Sequence, residues 1–211
     1  DGVKRFYALK TKSFDTGLLR WARQLLLDGG FHCEVKDARV RPPVHYCSME
    51  GFKTPLRDYQ EDAVRKAVKA TRGVIYAATG SGKTEISFAI IHLLNLKSIF
   101  IVNSIDLLNQ TAERIEKTIP SSCVKIIGDS TVRQLGEGEP WIYVATMQTL
   151  NKKPELIKGI KFDVKISDEC HGVAAKTWKK VMDSIDAYYA FGLSGSFDDE
   201  HEDPIRYAEI V

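Results

Sequence analysis

Gly73-Val74-Ile75-Tyr76-Ala77-Ala78-Thr79-Gly80-Ser81-Gly82-Lys83-Thr84 is the stretch on which the fold turns. It opens as an apolar strand and tightens into a loop with two glycines, and Thr84 to Leu94 continues with helical apolar spacing. Strand, glycine loop and helix in that order make an anion cradle. The glycines let the backbone curl until successive N–H groups point inward, and the helix N-terminus contributes the positive end of its dipole. Thr79, Gly80, Ser81 and Gly82 then wrap phosphate oxygens, Lys83 reaches the β- and γ-phosphates of a nucleotide, and the Thr84 hydroxyl ligates Mg²⁺. The strict pattern has glycine at position 77, where this chain has Ala77.

Outward from this loop, apolar strand-like runs recur at Val74 to Ala77, Ser98 to Val102, Val124 to Ile127, Ile142 to Ala145, Val164 to Ser167 and Ala187 to Leu193. Helical spacing fills Thr84 to Leu94, Ile105 to Thr118 and Lys176 to Ile185. Strands alternating with helices predict an α/β fold with a mostly parallel sheet covered on both faces. The run Val164 to Ser167 ends in Asp168-Glu169-Cys170-His171. Carboxylates beyond a strand end are ordinary surface groups by themselves. Paired with a phosphate loop they acquire roles, Asp168 holding Mg²⁺ through its water shell and Glu169 orienting and deprotonating the attacking water.

The A-x-T-G-S-G-K-T loop together with D-E-C-H resembles the DExH-box helicases of superfamily 2, whose motor domains are RecA-like. The resemblance covers residues 56 to about 196, with the motifs in the family's order. It implies ATP and Mg²⁺ as cofactors, nucleic acid as partner, and a second RecA-like domain in the same polypeptide. Leu56-Arg57-Asp58-Tyr59-Gln60 is similar to the adenine-recognition segment, in which Gln60 reads the base edge and Arg57 lies against the base. Ile101-Val102-Asn103-Ser104 resembles motif Ia and Val144 to Leu150 motif Ib, which assigns Asn103, Ser104, Thr146 and Gln148 to the nucleic-acid backbone. Leu193-Ser194-Gly195-Ser196 stands where motif III couples nucleotide state to the track, as S-G-S rather than the commoner S/T-A-T. His171 is the link from the acidic pair to Ser194 and Ser196. Within the superfamily the chain is similar to the phage UvsW-type recombination helicases, which implies ATP-driven remodelling of branched DNA or RNA–DNA hybrids, on DNA rather than RNA. The acidic stretch Phe197 to Asp203 departs from the basic character common after motif III.

The remaining sequence sets the limits. A chain of 211 residues with 44% hydrophobic and 27% charged residues holds one full domain plus a small module. Val3 to Leu9, Leu18 to Leu27 and Phe31 to Val35 read as strand, helix and strand, a small α+β N-terminal module. Residues 37 to 55, rich in Pro and Gly, read as a linker that wraps or joins. The resulting division is 1–50 for accessory module and linker and 51–211 for the RecA-like domain. Residues 1 to 58 carry 11 Lys/Arg against 7 Asp/Glu, a basic excess suited to a polyanion. Cys33, Cys47, Cys123 and Cys170 have no C-x-x-C spacing, so zinc and disulfide frameworks are not expected. No run approaches a membrane span, and the chain reads as cytoplasmic (host cytoplasm for a phage product). Asp1 and the apolar run at Val211 read as a chain cut at both ends. Glu34-Val35-Lys36 has the E-x-K form of a nuclease site, but so does Asp163-Val164-Lys165 in its acidic equivalent, and so short a pattern carries no assignment. The expected function is an ATP-dependent DNA helicase or translocase motor. A nucleic-acid clamp gated by ATP is the other class compatible with the motifs.

Overall fold

Runs of β-branched and aromatic residues with no polar alternation belong in strands buried on both faces, and the computed structural model, which describes residues 7–14, 16–129, 131–168 and 175–195, places them there. The strands are β1 (Arg72–Tyr76), β2 (Ser98–Val102), β3 (Val124–Ile127), β4 (Val132–Leu135), β5 (Ile142–Thr146), β6 (Val164–Ser167) and β7 (Tyr189–Ser194). They form one sheet in the order β1-β7-β6-β2-β5-β3-β4, parallel throughout except for the antiparallel pair β3–β4. The helices outside the N-terminal segment are α2 (Asp58–Ala70), α3 (Lys83–Leu94), α4 (Ile105–Thr118), α5 (Met147–Lys152) and α6 (Ala175–Ser184), after α1 (Leu19–Asp28). This is the α/β architecture of a RecA-like domain.

Alternation along each strand sends side chains to two cores. Phe100, Val144, Ile166 and Phe191 pack under α2, α3 and α4, where Phe88 meets Phe100 edge-on at 5.9 Å. Ile99, Ile101 and Tyr143 face Trp178, Val181 and Met182 of α6, with Tyr143 edge-on to Phe162 at 5.1 Å.

Three elements carry weak sequence signals. β4 is a largely exposed edge strand, Val-Arg-Gln-Leu, that pairs only through β3. The buried apolar positions of α2 are just Val64 and Ala67, too sparse a stripe to stand out. α5 is a short turn of helix capped by Thr146.

The N-terminal segment departs from the expected strand, helix and strand. Phe31 to Val35 forms no strand, and Phe31 and Val35 are exposed. Alternation makes a strand only where a ladder partner accepts its backbone groups, and none lies alongside among the described residues. Of Val3 to Leu9, residues 3–6 lie outside the described residues, and the remainder shows one bridge, Ala8 to Ser13. The helix is present as α1, with no residue buried. Residues 37–55 do wrap. Arg39 rests over the Tyr188 ring at 4.7 Å, Cys47 N–H donates to Leu93 O at 3.0 Å, Lys53 N–H donates to Thr118 O at 3.1 Å, and Phe52 enters the core.

Candidate nucleotide-binding site

Strand register fixes which loops meet. Tyr76 at the end of β1 pairs with Ser194 of β7, Gly192 of β7 with Ser167 of β6, Ile101 of β2 with Ser167, and Val102 of β2 with Thr146 of β5. The phosphate loop, motif III, the acidic box and motifs Ia and Ib therefore leave the same rim of the sheet side by side. In open α/β sheets the carboxyl ends of the strands are where ligands bind.

The loop itself is shaped for an anion. Gly80 and Gly82 adopt φ of +79° and +83°, the left-handed region that glycine enters without strain. Gly82 is the N-cap of α3, so the helix begins as the loop closes. A Cβ on Gly82 would collide with Gln60 Nε2, whereas one on Gly80 would meet nothing within 4 Å, so the loop is clamped on one side and open on the other. Lys83 is buried to 9% exposure, and its ammonium donates to Ala77 O at 2.8 Å and Ala78 O at 3.3 Å. Ser81 Oγ is buried without a hydrogen-bond partner. A lysine folded back on its own loop, an orphaned hydroxyl and two left-handed glycines fit a polyphosphate group. Thr84 follows in the first turn of α3, partly buried.

The clamp was only partly legible in the sequence. Gln60 is 5% exposed, donates to Ser81 O at 3.0 Å and accepts from the Arg57 N–H at 2.9 Å. Tyr59, which sequence reasoning did not single out, donates its hydroxyl to the same Ser81 carbonyl at 2.7 Å and receives Arg57 Nη1 at 3.3 Å. The amide of Gln60 thus makes one bond through each end, and with Tyr59 it clamps the loop at Ser81.

Asp168 stands at the end of β6, its N–H donating to Ile101 O at 2.9 Å. Ser194 is fully buried, and its carbonyl accepts the Ala77 N–H at 3.2 Å, so motif III is bonded to the start of the phosphate loop. Gly195 brings backbone close to the lysine: a Cβ there would lie 3.0 Å from Lys83 Nζ and 3.3 Å from Thr79 Oγ1. Glu169, His171 and Ser196 lie outside the described residues.

Beyond β2, Ser104 is exposed and caps α4 by accepting Leu107 N–H at 3.2 Å. Exposed Gln148 donates to Asn103 O at 2.8 Å, tying motif Ib to motif Ia. Thr146 requires correction as a side-chain contact. It is 2% exposed, and its hydroxyl caps α5 through Thr149 N at 3.2 Å and meets Thr149 Oγ1 at 2.7 Å. A hydroxyl committed to a buried cap does not reach a backbone in solvent.

At the opposite rim, Lys165 of β6 is buried and donates to Met182 O at 2.9 Å and Ile185 O at 3.1 Å, around the C-terminal end of α6. Burial, with the Arg72 guanidinium as the next cause, pulls its pKa down to about 8. Arg72, whose guanidinium donates to Ala187 O, is also lowered by burial and then by Arg39.

A lysine-bearing phosphate loop, with an acid at the end of a strand on the same rim of a mostly parallel sheet, is the arrangement of a RecA-like P-loop domain of the kind found in superfamily 2 helicases. The family described as "Type III restriction enzyme, res subunit" (ResIII) matches residues 53–199, and the chain belongs to that family. The matched span begins after Glu34-Val35-Lys36. Over 166 residues the chain is 31% identical to the DNA 3'-5' translocase XPB2 of Sulfurisphaera tokodaii, covering 75% of this chain and 36% of that protein. The chain thus spans about a third of this curated relative. In structure it is similar to the UvsW helicase of bacteriophage T4, with a TM-score of 0.74 at 17% identity over 98% of this chain and 80% of that one. It is also similar to a Sulfolobus solfataricus SWI2/SNF2 ATPase core in complex with dsDNA, with a TM-score of 0.61 at 16% identity over 79% of this chain and 37% of that one. Among the described residues no helix is long and apolar enough to cross a membrane.

Proposed function

We propose that residues 51–211 are the first motor unit of an ATP-driven DNA helicase or translocase acting on branched DNA or RNA–DNA hybrids, with residues 1–50 as an accessory, nucleic-acid-facing segment. The observation carrying this reading is the shared rim: the phosphate loop, motif III, the acidic box and motifs Ia and Ib emerge from adjacent parallel strands. Lys83 leaves the Ala77 and Ala78 carbonyls for the β- and γ-phosphates, and the loop N–H groups take the remaining oxygens. Thr84 and Asp168 would hold Mg²⁺, which offsets phosphate charge when bound. Glu169 takes a proton from the attacking water as its oxygen bonds to the γ-phosphorus and ADP departs.

Because the Ala77 N–H is bonded to Ser194 O, a loop that tightens on phosphate draws on β7, and through β6 and β2 on Asn103, Ser104 and Gln148. A second RecA-like domain of the same polypeptide supplies the arginine that neutralises charge developing on the γ-phosphate.

The test compares Lys83→Ala with Glu169→Gln in the polypeptide that includes the second motor domain. Lys83→Ala should lose ATP affinity. Glu169→Gln should retain it while DNA-stimulated phosphate release falls by about a hundredfold or more. Equal loss of binding in both variants refutes the role assignments, and no nucleic-acid stimulation in the wild type points instead to a clamp.

A further inference from the structure

Glu85 follows Thr84 directly, in the first turn of α3. An acidic side chain there suits the helix dipole in isolation. In this helix, however, the N-terminus is also the end of the phosphate loop. The carboxylate lies against that loop, with Oε2 3.3 Å from the position a Cβ on Gly82 would occupy. An unpaired negative charge at that distance repels a polyphosphate and cancels part of the field of Lys83 and the helix end.

The charge is met from a different helix. Arg114 of α4 pairs its guanidinium with Glu85 Oε1 and lies over the Phe88 ring at 5.7 Å. Glu85 and Phe88 are three apart and share a face of α3, so one guanidinium grips two successive turns. Phe88 is 1% exposed and is itself fixed by Phe100, which leaves Arg114 a firm seat on one side although half its surface is open. As a surface ion pair the contact adds little to stability. Its place beside Gly82 gives it another use.

We infer that Arg114 is a positioning residue for the phosphate site: it neutralises Glu85, whose carboxylate lies against the loop, so that the end of α3 keeps the positive character a nucleotide requires. The inference rests on the phosphate-loop reading above. It predicts opposite consequences for the two partners, which a merely structural strut does not.

The experiment is calorimetric titration of ATP into the chain at low and high ionic strength, with thermal melts to establish that each variant folds. Arg114→Ala should weaken ATP binding about fivefold, because Glu85 is left unpaired beside the site. Glu85→Gln should bind as well as the wild type or up to about twofold tighter, and the double variant Glu85→Gln/Arg114→Ala should return to within about twofold of it. Arg114→Lys, which keeps the charge, should stay within about twofold, and the Arg114→Ala defect should shrink at 0.5 M salt, where the Debye length falls to about 4 Å. Unchanged affinity in Arg114→Ala overturns the inference. So does equal loss in both single variants without recovery in the double, which marks the pair as a strut. Lys83→Ala serves as the control: if it binds ATP like the wild type, the phosphate-loop reading fails, and with it this one.

Discussion

Replacing Lys165 by Met tests how the strand carrying Asp168 is held from beneath. Lys165 Nζ donates to the Met182 and Ile185 carbonyls, and burial lowers its pKa from 10.5 to about 8. In the unfolded chain the lysine keeps its proton up to about pH 10.5, so between pH 8 and that point the unfolded state binds more protons than the folded one. Stability from this group therefore rises with pH across the window. The cost of burying the ammonium is fully present below pH 8. It amounts to about 3 kcal/mol at about 1.4 kcal/mol per pH unit, and about 2.5 kcal/mol of it is recovered by pH 10.

Urea unfolding of wild type and Lys165→Met at pH 7 and pH 10 isolates this contribution, since other titrating groups appear in both proteins and cancel. The wild type should gain about 2.5 kcal/mol on the variant over that interval. A difference that stays constant with pH would show that the two carbonyl bonds fully offset desolvation and that Lys165 titrates as an exposed lysine.

Gly82→Ala forces a side chain into the left-handed region and onto Gln60, at a cost of about 2 kcal/mol or more; ATP affinity measured by titration should fall at least tenfold. Gly136→Ala, at φ +82° and against the Ser122 backbone carbonyl, has no flexible neighbour to yield and should lower stability by about 2 to 4 kcal/mol in a denaturant melt, with nucleotide affinity of the folded fraction unchanged. Deleting residues 1–36, with exposed Lys10, Lys12, Arg20 and Arg23, should flatten the plot of log K for DNA against log salt by roughly one unit per lost phosphate contact; an unchanged slope returns those residues to plain surface.

The parallel sheet was legible because its strands are two-sided and apolar: Ser98–Val102 and Val124–Ile127 stand in the structure at the bounds their composition suggests. The phosphate loop was legible because its chemistry is local, with glycine geometry, lysine and helix start all within a few residues. Features that depend on distant partners were not. Nothing in the sequence around Tyr59 announces that its hydroxyl holds Ser81, or that Arg114 answers Glu85 from 29 positions away. Thr146 shows the opposite error, since a hydroxyl at a strand end looks the same in sequence whether it faces solvent or caps the next helix. Phe31 to Val35 shows that alternation states a preference whose outcome a ladder partner decides.

The two rims of the sheet divide the labour of the molecule. The phosphate loop and the loops after β2, β5, β6 and β7 leave the carboxyl ends of the strands, while Arg39 on Tyr188 and Lys165 beneath α6 fasten the other side. A substitution at Arg39 or Lys165 therefore loads the sheet from the rim that the phosphate loop does not share.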